Sequence, residues 1–324
     1  MTTSMQTVTA AQAGGPEVLR PDEREVPAPG PHEAMVRTVA TGVNFIETYQ
    51  RSGVYPVDYP FTPGAEGCGE VVAVGEEVTG MAPGQLVATA EASRTYAEYF
   101  TVDAAKLLPV PPGMDPWIAA ALPLQGLTAH YLVRSTVALG PGDTAVVTAA
   151  SGGVGGLVVQ LARRAGATVV ALTSTPEKAE TARGLGADHV LGYDGFAARV
   201  RELTDGAGAD VVYDSVGAAT FDESLAATSV RGTTVLFGGS SGQVPPFDLQ
   251  RLNSSGALYV TRPSLAYYLR DAEERRWRWR ELTDAVADGA LTVRVGGTYP
   301  LAEASAAHRD LESRATQGKL LLVP

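Results

Sequence analysis

The stretch Ala149-Ala150-Ser151-Gly152-Gly153-Val154-Gly155-Gly156 constrains this chain more than any other. It follows an apolar run, Thr144 to Ala150, and opens a second one, Val154 to Ala165, which ends at Gly166. A short apolar run, a cluster of small residues and a longer helical run form the first half of a βαβ unit. In a dinucleotide fold three small residues at this turn have separate tasks. The first permits the tight turn, the second lets backbone approach a pyrophosphate, and the third lets the helix pack on the strand. Ala150, Gly152 and Gly155 occupy those places, with alanine at the first. The anion is then met by unpaired N–H groups at the positive end of a helix. A Gly-rich turn between buried elements is the alternative, and the βαβ context favours cofactor binding.

The pattern continues on both sides. Thr168 to Leu172, His189-Val190-Leu191, Asp210 to Tyr213, Thr233 to Phe237 and Ala257 to Val260 read as strands. Helices near Thr175-Pro176-Glu177, Phe196 to Leu203 and Phe221 to Ala227 alternate with them. That alternation predicts a parallel sheet covered on both faces. Residues 1 to about 125 differ. Short β-like runs such as Val36 to Val39 and Gly69 to Gly75 are punctuated by Pro29-Gly30, Pro83-Gly84 and Pro112-Gly113, which predicts a mostly β domain. The tail holds a charged helix (Leu269 to Ala287), a strand (Leu291 to Val295), a helix (Ala302 to Leu311) and the apolar run Leu320-Leu321-Leu322-Val323. Such an isolated last strand is expected to complete a sheet of the first domain. The division is therefore a discontinuous domain, 1–125 with 265–324, around a cofactor domain, 126–264. The fold class is α/β: a Rossmann doubly wound parallel sheet plus a mostly β domain.

Cofactor type is read after the second strand. An NAD site places Asp or Glu there, about 20 residues on, to hold the ribose 2′-OH. This chain has Leu172-Thr173-Ser174-Thr175 instead, followed by Lys178. Hydroxyls and a cation suit a 2′-phosphate through charge-assisted hydrogen bonds, so NADPH is expected. Glu177 and the possibility that Lys178 is simply a solvated helix residue stand against that.

Catalytic zinc needs three protein ligands and an open position. In Pro63-Gly64-Ala65-Glu66-Gly67-Cys68-Gly69 the place of the histidine in a Gly-His-Glu run is taken by Ala65. The four histidines, His32, His130, His189 and His308, are scattered, and there is one cysteine. No metal is expected. Cys68 reads as a buried small residue, with a reactive thiol as the alternative, and Glu66 as a structural carboxylate bonding the Gly-rich backbone around it, with a catalytic role as the alternative. The lone cysteine fits a reducing compartment, and neither a secretory start nor a spanning run of ~20 apolar residues is seen. The expectation is a cytoplasmic protein without membrane partners. A formal net charge of -11 repels polyanions and argues against nucleic acid. The run Arg275-Arg276-Trp277-Arg278-Trp279-Arg280 is flanked by Asp271, Glu273, Glu274 and Glu281, and reads as a solvated helix with charge pairs.

With these features in place, the chain resembles the zinc-free quinone oxidoreductases, the zeta-crystallin-like branch of the medium-chain dehydrogenases/reductases. The resemblance runs over the whole chain. It is carried by Gly14 to Leu19, Asn44 to Tyr49, Arg51 to Pro56, Gly126-Leu127-Thr128-Ala129, the phosphate loop with Gln160, Val211 to Gly217, Tyr259 to Ser264 and Glu312 to Gly318. It implies a GroES-like catalytic domain beside the Rossmann domain and hydride transfer from NADPH to quinones without zinc. Enone or enal double-bond reduction is the alternative, and an NADPH-binding structural or RNA-binding protein is the alternative of another class. The resemblance implies that Asn44, Tyr49 and Tyr55 lie near the nicotinamide and substrate. It implies that Thr128 and Val154 touch the nicotinamide half. Ser174 belongs to the hydroxyl turn, and Lys178, Tyr193 and Arg314 are to surround the 2′-phosphate. Phe237, Gly238 and Ser240 line the cofactor cleft, and Ala150, Gly152, Gly153, Val154 and Gly155 form the phosphate loop. Some relatives carry a basic residue where this chain has Gln125. The strand near Tyr259 is expected at a sheet edge, where pairing with a second copy would give a homodimer.

Overall fold

The structure, a computed structural model, describes residues 3–324. It divides into two units, Met1–Gln125 with Val293–Pro324, and Gly126–Thr292.

The second unit is built on a six-stranded sheet. Its spatial order is His189–Leu191, Thr168–Leu172, Thr144–Val147, Ala209–Asp214, Thr228–Leu236, Tyr259–Thr261. Every neighbouring pair is parallel. Numbered along the chain this is 3-2-1-4-5-6, the order of a doubly wound dinucleotide fold. The central strands are mostly apolar because helices cover both faces; Val146, Val170, Leu172 and Val212 share one core with Phe196 and Val200 from a covering helix. The helices Gly153–Arg164, Pro176–Gly184, Phe196–Leu203 and Phe221–Ala227 form the crossovers. The third of these opens with Gly195 at φ 62° and the second with Pro176 at its first position, capped by Thr175. Both follow from the backbone needs of helix starts.

The first unit is mostly β. Strand Glu33–Val43 is its spine, pairing antiparallel with Gly67–Val74, Tyr99–Asp103 and Lys319–Val323. The closing strand therefore returns from the chain's end into the first sheet, where Leu320, Leu321 and Leu322 are buried. Val295–Pro300 lies beside it in parallel, at the sheet edge. This strand was expected at Leu291 to Val295. Its register, Val295 opposite Lys319 through Pro300 opposite Val323, is set by the partner strand. An edge position also tolerates Pro300, whose missing N–H would break an interior ladder.

The expected boundary at 264/265 moves to 292/293. The helix Ala272–Ala287 belongs with the cofactor sheet, because its inward side chains are bonded there. Arg278, fully buried, reaches His130 Nδ1 (3.0 Å), Ser135 Oγ (2.9 Å), the Tyr268 carbonyl (3.2 Å) and Glu274. Gln160 then holds both backbone groups of Thr292, at 2.7 and 3.0 Å. The arginine-rich run is accordingly not a wholly solvated helix: Arg275 and Arg278 are buried, while Arg276 and Arg280 face solvent. Since arginine only donates, His130 Nδ1 accepts from Arg278 and its Nε2 donates to Glu281 (2.9 Å). Burial holds this imidazole down at about 4.

A parallel arrangement anchors the first unit. Arg51 makes a forked pair with Glu312 (2.7 and 3.2 Å) and donates to His308 Nδ1 at 3.1 Å. The His308 Nε2 then donates to the Tyr96 hydroxyl at 3.0 Å. Burial first, and the Arg51 charge second, keep His308 neutral, its pKa pulled down to about 3. Arg51 Nε also donates to the Gly14 carbonyl at 3.1 Å, tying the opening loop to this helix.

Among the described residues no helix is long and apolar enough to cross a membrane.

Candidate active site

In the second unit the expected cofactor residues gather at the carboxyl ends of the parallel strands, where ligands bind in open α/β sheets. Ala150 to Gly155 follow the first strand, Ser174 and Lys178 the second, Tyr193 the third, and Phe237, Gly238 and Ser240 the fifth. The order of strands reverses between the first and fourth. There Ser215 N donates to Thr148 Oγ1 at 2.9 Å, and the two hydroxyls lie 3.1 Å apart. Thr148 and Ser215 are thus further candidates for the site that the motif reading missed; their place at the ends of the two strands flanking that reversal was the available signal.

The phosphate loop shows why its residues are small. Ala149 takes φ 48°, a left-handed conformation, and its N–H donates to the Tyr193 hydroxyl at 2.9 Å. A Cβ on Gly155 would stand 2.3 Å from the Ala149 carbonyl oxygen, nearer than atoms can approach. At Gly152 the same test gives 3.1 Å. Gly152 is the N-cap of the 12-residue helix Gly153–Arg164, and among the described residues no side-chain hydrogen bond caps it. A helix start left uncapped beneath a loop of Ala150, Ser151, Gly152 and Gly153 suits a pyrophosphate, so the residues present fit a dinucleotide.

After the second strand, Lys178 Nζ donates to Ser174 Oγ at 3.5 Å, and Thr175 Oγ1 accepts from Lys178 N at 3.3 Å. The nearby Glu177 is turned to its own helix start. Hydrogen bonds from its own backbone N–H and from Thr175 hold its carboxyl below the usual range. The competing carboxylate therefore caps a helix, which leaves Ser174 and Lys178 as the groups suited to an anion. Gly238 is packed against Ser215, whose carbonyl oxygen a Cβ would meet at 2.5 Å. Ser240 N bonds the same carbonyl at 3.2 Å. Thr128 is buried in the helix Pro123–Tyr131.

The remaining expected residues, Asn44, Tyr49, Tyr55 and Arg314, are in the first unit. Asn44 caps the helix Phe45–Arg51 in a capping box with Glu47. Its backbone N–H donates to Glu47 Oε2 at 2.6 Å. Its side-chain Nδ2 donates to Glu66 Oε2 at 3.1 Å, and its Oδ1 accepts from Lys319. Tyr49 is one turn on, and its ring meets that of Tyr55 edge-on at 5.4 Å. Glu66 does not bond the Gly-rich backbone around it. It pairs with Lys319 and accepts from Leu124 N at 2.7 Å. Glu47 and Lys319 are functional candidates that sequence reasoning did not single out, and Glu66 is one that it read as structural. The Asn-x-x-Glu spacing of Asn44 and Glu47 was the legible sign of the cap. Cys68 is buried, and desolvation pushes its thiol up to about 12, so it is inert. Among the described residues no three His, Cys, Asp or Glu side chains gather as metal ligands do. Arg314 is exposed and takes φ 59° in its turn.

Two family descriptions match, a zinc-binding dehydrogenase domain over residues 153–286 and an alcohol dehydrogenase GroES-like domain over residues 30–112. The chain is 42% identical over 97% of its length, and 98% of the relative's, to the quinone oxidoreductase of Pseudomonas aeruginosa. The chain belongs to the quinone oxidoreductase branch of the medium-chain dehydrogenases/reductases. It is also 40% identical to the 2-haloacrylate reductase of a Burkholderia species, over 96% of each chain. A mycobacterial protein solved in complex with NADPH superposes with a TM-score of 0.97 at 48% identity, over 99% of this chain and 100% of that one.

Proposed function

We propose that this member is an NADPH-dependent quinone reductase. One observation carries the reading: an uncapped Gly-rich helix start with Ser174 and Lys178, and no free carboxylate, after the second strand, in a chain that resembles a quinone oxidoreductase from end to end. The backbone of Ala150, Gly152, Gly153, Val154 and Gly155 holds the pyrophosphate. Within the second unit Ser174, Lys178 and Tyr193 take the 2′-phosphate, Thr128 and Val154 the nicotinamide half, and Phe237, Gly238 and Ser240 wall the cleft; Asn44 and Arg314, in the first unit, keep the nicotinamide and 2′-phosphate roles that the resemblance implies for them. When bound, NADPH supplies the hydride.

The protein's own task is to orient the acceptor and to meet charge growing on its oxygen. Both polar atoms of the Asn44 amide are engaged by Glu66 and Lys319. The hydroxyls of Tyr49 and Tyr55 therefore meet the substrate oxygen, and Asn44 sets the helix that presents them. A quinone suits this arrangement, because its reduced anion is delocalised and demands no strong acid. A second reading is reduction of an electron-poor carbon–carbon double bond, favoured by the likeness to the 2-haloacrylate reductase.

Oxidation of NADPH and NADH at 340 nm, with EDTA-treated protein and a panel of quinones and enones, separates these. Quinones are expected to turn over with NADPH and little with NADH. Turnover of enones alone moves the substrate to a double bond, and binding of NADPH without any turnover ends the enzymatic reading. Lys178→Glu is expected to raise the KM for NADPH by about 10- to 100-fold, the weight of one or two charge-assisted bonds, while sparing NADH. An equal loss with both cofactors would remove Lys178 from the 2′-phosphate.

We propose that a second copy of this chain pairs along the strand Tyr259–Thr261. It is the edge of its sheet, and Tyr259 is 63% exposed. Unpaired edges invite such addition, and light scattering is expected to return twice the 33.7 kDa chain mass; the chain mass alone would reject the placement. A single cysteine, buried and unreactive, accords with a cytoplasmic protein. A nucleic-acid partner is not proposed, since Arg275 and Arg278 spend their donors inside the unit.

A further inference from the structure

The first unit contains a buried charge cluster that the sheet has been shaped to hold. Glu66, Glu47 and Lys319 are each at most 2% exposed. Lys319 opens the closing strand, Glu66 immediately precedes the strand Gly67–Val74, and Glu47 is in the first turn of the helix Phe45–Arg51. A Cβ at Gly42, on the spine strand, would fall 2.1 Å from Glu66 Oε2 and 2.6 Å from Lys319 Cε. Only glycine leaves room for the pair. Burying an ion pair is costly unless its remaining polar atoms are bonded, and here they are. Glu66 Oε1 accepts from Leu124 N, and Glu66 Oε2 faces both Lys319 and Asn44 Nδ2. The Lys319 ammonium also donates to Asn44 Oδ1. Glu47 takes the Asn44 N–H at 2.6 Å and the Ala65 N–H at 3.4 Å.

We infer that Lys319 and Glu66 are positioning residues for the reductase reaction: they clamp the Asn44 amide from both sides and so fix the start of the helix that carries Tyr49. The inference rests on the reading of Tyr49 and Tyr55 as the groups that meet the substrate. The Asn44 amide cannot rotate without losing both charged partners. The helix start follows that amide, and Tyr55, whose N–H donates to the Tyr49 carbonyl at 3.0 Å, follows the helix.

The cluster couples this placement to pH. Burial raises the Glu47 carboxyl to about 7, Lys319 opposes that rise, and Glu66 adds to it. Burial first, then the charges of Glu47 and Glu66, raise the Tyr96 phenol against the opposing Arg51 cation and keep it neutral. The capping bonds need an acceptor, so the working form is the carboxylate, and kcat is expected to fall as pH drops through about 7. The sign for each variant follows. Without the Lys319 cation the carboxylate is less favoured, and the acidic limb moves to higher pH. Without the Glu66 charge it is more favoured, and the limb moves to lower pH. Shifts from one neighbouring charge run to about one to three units.

The test is the pH profile of kcat for 1,4-benzoquinone in Lys319→Met, Glu66→Gln and Lys319→Arg. A second readout is the carboxyl 13C resonance that disappears in Glu47→Gln, followed against pH in each variant. Opposite movements of the limb in the first two, matched by the resonance, with Lys319→Arg near wild type, are the expected result. Plateau kcat should fall about 10- to 100-fold in Lys319→Met, the scale of a small misplacement. A resonance that moves while the limb stays overturns the positioning role and leaves the quinone reading intact. Equal losses with no shift of limb or resonance mark a purely structural pair and overturn it too. If Lys319→Met does not fold, Glu66→Gln and Lys319→Arg decide by the same criteria. Wild-type protein that turns over no quinone fails the reading beneath the inference, and is seen before any variant is made.

Discussion

Gly155→Ala is expected to lower NADPH affinity by 100-fold or more and to destabilise the protein, though it adds one methyl group. The new carbon would be 2.3 Å from the Ala149 carbonyl oxygen, 2.9 Å from its carbon and 3.1 Å from the Thr148 carbonyl oxygen. All three are backbone atoms at the end of the first strand, so no side chain can rotate away. Either the helix Gly153–Arg164 slides outward or the loop opens, and both displace the uncapped N–H groups that meet the pyrophosphate. Overpacking of this kind costs about 1–3 kcal/mol, against a gain of up to about 1 kcal/mol from replacing a helical glycine. Gly184→Ala is the control. It ends the helix Pro176–Gly184 with open space around it, so it should hold or slightly raise stability with NADPH binding unchanged. Fluorescence titration with NADPH and thermal unfolding measure both. Wild-type affinity in Gly155→Ala would show that the close approach of helix and loop is not what seats the cofactor.

That close approach was legible in the sequence because its cause is local. The Gly-rich turn, its strand and its helix are contiguous, and the alternation of short apolar runs with helices extends the pattern into a sheet. Strand order follows from right-handed crossovers and the return to the second half. The hydroxyl turn at Ser174 and Lys178 was legible for the same reason. What escaped notice depends on long-range partners. Lys319 is adjacent to Leu320 in a run that reads as plain buried strand, and its partner Glu66 stands just before a strand far back in the chain. A lysine opening so apolar a strand was the available signal. Glu66 looked like a bond to neighbouring turns because only those neighbours are visible in sequence. The misplaced boundary has the same origin: the charged helix Ala272–Ala287 lacks a wide apolar stripe, and its attachment to the cofactor unit is made by Arg278.

Arg278→Met should consequently destabilise the second unit by about 3–5 kcal/mol, the cost of removing one partner of a buried charged network. The methionine keeps much of the stem's volume, so the loss is electrostatic. His130 Nδ1, Ser135 Oγ and the Tyr268 carbonyl each lose a donor, and Glu274 its cation, around a guanidinium that is fully buried. For a unit of this size about 2–4 °C accompany each kcal/mol, so the unfolding midpoint should fall by about 10 °C. Arg276→Met, on the exposed face of the same helix, should stay within about 0.5 kcal/mol of wild type. The two arginines are two residues apart, so composition, helix propensity and net charge change alike in both variants. A large difference between them isolates the buried network. It also moves His130: the Arg278 charge helps hold that imidazole at about 4, and its removal should raise the midpoint seen in the ring-proton resonances. Equal midpoints for the two variants would mean that Arg278 contributes no more than a solvated charge, and that the attachment of this helix rests on Trp279, Leu282 and Ala285 alone.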